Sequence, residues 1–312
     1  MYPDVPDLYR LYVFLVVVEA GSISGAAARL HLSQTAVYQQ IRGLERKLGL
    51  KLFYRQGGRR LPTEAAEALI GPTRELLAHA ERYQSHLETI RGRLGGLLKL
   101  GVGVVSAEAF LPRLLADFRV QSPACSPQMI LGDTVSLAGM LGRGELDLAF
   151  LGQQLGGRQV DLDLLFQEEL VAVVSDRHPW ARRRRVGIAD LEQVRLILPG
   201  PGHGTRQTLE SALARRGCQL KPDQVWFEAS SLQALAVSLQ AEPVVGILPA
   251  SAARQIGPQF KILRFGDLSV RQPIFIGRSR ALALSPVAAQ FYEFVTGPEG
   301  QRLLPSPVAG DE

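Results

Sequence analysis

The stretch "GSISGAAARLHLSQTAVYQQIRGLE", residues 21–45, carries two helical patterns separated by "HLS". Ser24 reads as the N-cap of the first, which turns Ala26, Ala27 and Leu30 inward, and the small alanines let a neighbouring helix approach closely. Ser33 reads as the N-cap of the second, with Val37, Ile41, Leu44 and Leu48 as its buried stripe and Gly49 as its stop. At about 100° per residue, the opposite face presents Thr35, Gln39, Arg42 and Arg46, with Tyr38 at its edge and Gln34 in the exposed first turn. Two helices joined by about three residues, the second polar on its outer side, make a helix-turn-helix. Amide and hydroxyl groups can both donate to and accept from base edges in a major groove, and arginines suit phosphates or guanine. The expected partner is double-stranded DNA.

Working outward, Leu8, Leu11, Tyr12, Leu15 and Val18 predict a preceding helix with one apolar face, broken at Gly21. Downstream, "LKLFYRQGGRRLP" (50–62) reads as a strand, a Gly-Gly turn and a return strand, a β-hairpin wing placing Arg55, Arg59 and Arg60 against a phosphate backbone or minor groove. Charge supports this. Residues 29–60 hold eight basic side chains and one acidic one, Glu45, an excess of seven in a chain whose net charge is +5. Such a local surplus beside a near-neutral remainder is the footprint of a polyanion-binding module.

Thr63 is placed to cap a long helix, with Glu64 and Glu67 at its positive end. Along it Leu69, Thr73, Leu76, Ala80, Tyr83, Leu87, Ile90 and Leu94 recur in steps of four and three, the seam of a coiled coil, with a kink expected at Gly71-Pro72. A lone helix has nothing to bury such a seam against. A second copy of the chain is the natural occupant, and packing on the chain's own C-terminal region is the competing one. A homodimer would present two recognition helices to a two-fold site.

The segment "FLVVVEAGSISGAAARLHLSQTAVYQQIRGLERKLGLKLFYRQGGRRLPTEA" resembles the winged helix-turn-helix of LysR-type transcriptional regulators, whose pattern is "GS…AA..L..SQ…..I..LE..LG..LF.R" followed by a linker helix. Thr35 stands where that family commonly has proline, Tyr38 where serine is common and Gln39 where a basic residue is common. Pro62 and Ala66 also depart from the usual pattern, so base preferences do not transfer from a relative. The resemblance implies an α+β protein: a winged helix-turn-helix at 1–62, a linker and dimerisation helix at 63–94, and an effector-binding domain at 95–312. That domain would be two-lobed α/β like a periplasmic binding protein, with lobe 1 at about 95–163 and 267–305 and lobe 2 at about 164–266. The seam argues for a homodimer and leaves open whether dimers pair into a homotetramer.

The C-terminal residues agree in layout. After the glycine-rich joint "GRLGGLLK", strand-like and helix-like runs alternate in two series, predicting α/β lobes with largely parallel sheets. A ligand in such folds sits where strands end and helices begin. Four of those turns carry small polar residues: Ser106, Thr134 with Ser136, the loop "PGPGHGTR" (199–206), and Ser230-Ser231. In the loop, Gly202 and Gly204 allow close backbone approach, Thr205 is placed to cap the next helix, and His203 and Arg206 add positive character. Together they favour a carboxylate or phosphate as effector. The "HGTR" loop and the "VVS…PRLL" opening look like the branch of the family that regulates carbon fixation, which senses small, often phosphorylated metabolites. Unlike much of the family, Glu242-Pro243 stiffens and acidifies one cleft edge.

No catalytic or metal-binding constellation is present in the sequence. "GVG" lacks the third glycine of a dinucleotide fingerprint, the 199–204 loop lacks Gly-Lys-Ser/Thr, there is no "GxSxG", and the five histidines are scattered. Cys125 and Cys218 suggest neither a disulfide framework nor a zinc site. "ARRRR" (181–185) reads as a solvated loop. No secretory signal or membrane span is apparent, so a cytoplasmic, cofactor-free protein that is not an enzyme is expected. The alternative is a two-lobed small-molecule binding protein or enzyme whose N-terminal module serves assembly only. Salt-dependent DNA binding separates the two.

Overall fold

The computed structural model describes residues 6–56, 59–90, 95–103, 108–154, 159–229 and 231–305. The chain forms two compact units, residues 1–84 with 143–145, and residues 85–142 with 146–312.

In the first unit, α1 (Leu8–Ala20), α2 (Ile23–Leu30) and α3 (Gln34–Leu48) enclose a core of Phe14, Val17, Ala26, Ala27, Val37, Ile41 and Leu44. Helix α1 departs from its expected stripe. Leu8 and Tyr12 are exposed, while the whole run Val13–Val17 is buried, because α2 and α3 both pack against it and no single face serves as the inner one. The cap of α2 is Ser22 and not Ser24. The Ser22 hydroxyl accepts the Gly25 N–H at 3.0 Å, and Ser24 lies exposed in the first turn. Ser33 caps α3 as expected, accepting the Ala36 N–H at 3.1 Å, and Gly49 ends it in the left-handed region (φ 67°).

The hairpin follows as β1 (Phe53–Gln56) and β2 (Arg59–Pro62), antiparallel, with Arg55 opposite Arg60. The expected Gly57-Gly58 turn lies outside the described residues. Thr63 then caps α4 (Glu64–Ile90), its hydroxyl accepting the Ala66 N–H at 3.2 Å and donating to the Lys51 carbonyl at 2.7 Å. The helix runs through Gly71-Pro72 without interruption.

The second unit consists of two α/β lobes. Its elements are β3 (Gly95–Val102), α5 (Leu111–Gln121), β4 (Ala124–Leu131), α6 (Thr134–Gly142), β5 (Leu148–Leu151), β6 (Val160–Ser175), β7 (Arg185–Val186), α7 (Ile188–Leu191), β8 (Leu196–Leu198), α8 (Gly204–Ala214), β9 (Val225–Glu228), α9 (Leu232–Ala241), β10 (Val245–Pro249), α10 (Ala250–Ala253), β11 (Phe260–Phe265), β12 (Arg271–Ser279), α11 (Pro286–Thr296) and α12 (Pro298–Gln301). One lobe has the sheet order β4-β3-β5-β12-β6, and the other continues through β6 as β10-β8-β9, with β11 on the opposite side of β6.

Strand β6 is shared. Val160–Glu169 pairs with β12, and Leu170–Ser175 pairs with β10 and β11. The pairing therefore changes hands between Glu169 and Leu170, a few residues beyond the expected limit near 164. The sheets are mixed, correcting the largely parallel expectation. The pairs β3/β4, β3/β5, β8/β10 and β8/β9 are parallel, but the crossing strands β6 and β12 run antiparallel to each other, β12 to β5, and β6 to β10 and β11. They connect the lobes in opposite directions, so they cannot both follow the strands beside them.

The second half of β6 explains its own sequence. Leu170, Ala172 and Val174 face one core with Leu196, Leu198 and Leu209, while Val171 and Val173 face another with Leu235, Leu239 and Leu248. A sheet covered on both faces requires a continuous apolar run. The first lobe likewise packs Leu98, Leu100, Phe118, Phe150 and Phe291 on one face, and Leu137, Leu141 and Ala149 on the other.

Candidate nucleic-acid interface and ligand cleft

The first unit carries a groove lined by Ser22, Ile23, Ser24, Gln34, Thr35, Tyr38, Arg55 and Arg60. The start of α2, the first turns of α3 and the hairpin meet there. Five expected residues, Gln34, Thr35, Tyr38, Arg55 and Arg60, are thus brought together, and Ser22 and Ser24 join them beside the positive end of α2. Ser33 serves as a cap. Gln39, Arg42 and Arg46 are exposed along α3 outside the groove. Arg59 contributes backbone to β2, and its side chain lies outside what is described.

Tyr38 holds a position that its place on the edge of α3 did not reveal. Its hydroxyl accepts from Arg42 Nε at 2.8 Å, and its ring lies 5.4 Å from the Arg42 guanidinium and 5.1 Å from that of Arg60. Glu45, the lone acid in the basic tract, is buried where α3 meets the hairpin. Its carboxylate accepts the Leu52 N–H at 3.0 Å and lies 3.3 Å from Lys51 Nζ and 3.5 Å from Arg42. Burial alone would raise its pKa, but the N–H groups of Leu52 and Phe53 and the Lys51 ammonium outweigh that and hold it below the ordinary carboxylate range. The buried acid ties the hairpin to α3 and leaves the groove to the arginines.

On α4 the seam divides. Leu69 packs against the core of the first unit and Thr73 is buried, so the first turns are used within the chain. Beyond them Leu76, Tyr83 and Ile90 are 37%, 67% and 82% exposed, with Ala80 and Leu87 half-buried. Leu94 lies outside the described residues.

In the second unit a cavity lies between the lobes, with about 40 Å³ open to the centre of a water molecule. Gly132, Thr134, Leu137, Phe150 and Gly152 line it from the first lobe. His203, Gly204, Thr205, Ser231, Leu232 and Leu235 line it from the second, and Gln272 of β12 lies at the crossing. Thr134, Gly204 and Leu232 are the first residues of α6, α8 and α9, so three helix N-termini converge on one space.

Several expected residues have other duties. Thr205 does not cap α8. Its buried hydroxyl donates to Gln272 Oε1 at 2.9 Å, binding the second lobe to the crossing strand. Ser136 is exposed and gives its hydroxyl to Asp133 at 2.6 Å. Asp133 caps α6 by also accepting the N–H groups of Val135 and Ser136 at 3.0 Å, and the Ser136 hydroxyl chiefly holds its pKa below the usual range. Gly202, with φ 86°, lies against Asp133 and is not part of the cavity wall. Arg206 is not among the residues that line the cavity. It pairs with Glu210 at 2.9 Å and Glu228 at 2.5 Å, so its charge is compensated inside the lobe. Ser231 both caps α9, accepting the Ala234 N–H at 3.1 Å, and lines the cavity. Ser106 and Ser230 lie outside the described residues. Gln272 and Gly152 were missed, although a lone amide in the apolar run "QPIFIG" was a visible signal.

Comparison with known proteins places both units. Residues 8–67 match the model of the bacterial regulatory helix-turn-helix protein, lysR family, and residues 91–297 match the LysR substrate binding domain. The chain is 28% identical to the RuBisCO operon transcriptional regulator of Allochromatium vinosum over 93% of this chain and 95% of the relative. It is 25% identical to the transcriptional activator CmpR of Synechocystis sp. over 92% and 94%. Its fold matches the crystal structure of CbnR, a LysR family transcriptional regulator, with a TM-score of 0.73 at 22% identity, covering 96% of this chain and all of that one. Among the described residues, no helix is long and apolar enough to cross a membrane.

Proposed function

This chain belongs to the lysR family of bacterial regulatory helix-turn-helix proteins, and from that premise we propose that it reads a two-fold DNA site under the control of a small anion bound between its lobes. The observation that carries the DNA half is the single groove in which Gln34 and Thr35 of α3 stand beside Arg55 and Arg60 of the hairpin. Amides and hydroxyls there suit base edges, and the arginines suit phosphates. Dimers joined along Leu76, Ala80, Tyr83, Leu87 and Ile90 would supply the second recognition helix. The cytoplasm is the compartment where such a protein meets its DNA.

The ligand half rests on the three helix N-termini and the hydroxyls of Thr134 and Ser231 around one cavity. Among the described residues that line it there is no lysine or arginine. A compact carboxylate or phosphate held by helix ends and hydroxyls suits it better than a polyanion needing guanidinium clamps. The names of the relatives that govern RuBisCO operons support a role in carbon fixation.

One experiment tests both halves. A duplex is selected from a random pool by the wild-type protein, and its affinity is followed against salt. Arg55→Gln should weaken every sequence alike and reduce the log–log salt slope by about 0.9. Gln34→Ala should instead relax base preference by about 1–3 kcal/mol at one position. A panel of small carboxylates and phosphates is then screened by thermal shift and for changes in the footprint. A salt-insensitive interaction would favour the binding-protein or enzyme alternative, and a panel without effect on melting or footprint would remove anion control.

A further inference from the structure

The DNA-reading groove contains a side chain whose neighbours give it a second duty. We infer that Tyr38 is a positioning residue that docks Arg60 of the hairpin onto the recognition helix, so that α3 and the wing meet DNA as one body. The inference rests on the DNA reading proposed above.

Arg60 stands directly opposite Arg55 in the β1/β2 register, and like charges facing across a hairpin repel. It is nevertheless half-buried rather than extended into solvent, because its guanidinium lies 5.1 Å from the centre of the Tyr38 ring. The negative face of the ring attracts the cation and offsets part of that repulsion. The ring is itself oriented from within α3. Arg42, one turn further along, donates from Nε to the Tyr38 hydroxyl at 2.8 Å and reaches Glu45 at 3.5 Å. Glu45 in turn accepts the Leu52 N–H just before β1. A connected path therefore runs from the helix through Tyr38 to the wing arginine, and through Glu45 to the strand that carries the wing.

A free arginine at a hairpin edge samples many rotamers, and DNA would have to select one. Docking on Tyr38 restricts that choice before DNA arrives, which is how preorganisation raises affinity without adding a contact to the ligand. A side chain as short as serine at this position would not reach Arg60, so the coupling depends on the Tyr38 ring.

The test is a double-mutant cycle on full-length protein with a duplex selected from a random pool by the wild type. Tyr38→Ala should weaken binding about three- to tenfold and lower the salt slope as Arg60→Gln does. The double variant Tyr38→Ala/Arg60→Gln should bind no more weakly than Arg60→Gln alone, whereas Tyr38→Ala and Arg55→Gln should multiply. Tyr38→Phe, which keeps the ring and loses the Arg42 hydrogen bond, should retain the coupling to Arg60. Melting curves check the fold, and Tyr38→Leu replaces the alanine variant in the cycle if that one melts early. Independent, multiplying effects of Tyr38 and Arg60 would overturn the inference. Wild-type protein without salt-dependent DNA binding would overturn the DNA reading itself, and the inference with it.

Discussion

Gly204 at the start of α8 meets Gly152 at the end of β5 backbone to backbone: a Cβ added to Gly204 would lie 2.7 Å from the Gly152 Cα. The two lobes of the second unit therefore touch at a point with no room for a side chain. Gly204→Ala should wedge them apart and cost about 1–3 kcal/mol as overpacking. The thermal shift given by an anionic effector should shrink, while effector-free DNA affinity stays close to wild type. Unchanged melting, with the effector response intact, would show that this contact does not govern closure.

Leu76, Tyr83 and Ile90 lie exposed on α4 at seam spacing. Tyr83→Asp with Leu76→Asp should convert a dimer to a monomer in sedimentation velocity and sharply weaken binding to a two-fold duplex, with less effect on a half-site. Because both side chains are exposed within the chain, the monomer's own unfolding free energy should change by only about 0.5 kcal/mol each. An unaltered sedimentation coefficient would place the interface elsewhere.

Glu45 reaches across from α3 to accept the buried Leu52 N–H at 3.0 Å. Glu45→Ala should cost the first unit about 1–3 kcal/mol by taking away that acceptor. Glu45→Gln keeps an acceptor and should cost less. The folded carboxylate titrates below its ordinary value of 4.5, so its contribution is complete above that pH and fades as pH falls through the lower folded value. Acid melts should show a smaller pH dependence in the glutamine variant than in wild type. Equal curves would mean that the carboxylate's charge adds nothing.

His178 holds the loop that carries the arginine run. Its Nδ1 accepts the Trp180 N–H at 3.0 Å, which requires that nitrogen to be unprotonated. Burial lowers its pKa, with the nearby Arg183 charge acting in the same direction, against the Pro243 carbonyl that favours the charged ring. The unfolded chain therefore binds a proton first on acidification. Stability from the neutral ring is complete above about pH 6.5 and falls as pH drops through the depressed folded value. Wild type should lose more melting temperature than His178→Gln between about pH 7.5 and about pH 5.5. Parallel losses would contradict this assignment.

Much of the fold was legible because helix caps and periodicity act over a few residues. Ser33, Val37, Ile41, Leu44 and Gly49 delimit and bury α3 from within its own segment, and the basic tract advertises its partner by charge alone. Ser22 displaced Ser24 as a cap because both have the same chemistry two residues apart, and only the path of the chain chooses between them. The first half of β6, "VDLDLLFQE", is mixed in polarity, so the bridge between the lobes was not visible as a strand.

The sequence by itself determined the helix-turn-helix, the position of the hairpin and the alternation of strands and helices. The tertiary structure alone decided what each polar group near the sites does. Arg206 looked available to a ligand until Glu228, 22 residues away, came beside it, and Thr205 looked like a cap until β12 brought Gln272 within 2.9 Å. Tyr38 became a platform only when the hairpin laid Arg60 against it. Local propensity is encoded in neighbours along the chain, whereas the pairing of a charge or hydroxyl depends on which distant element the fold places beside it.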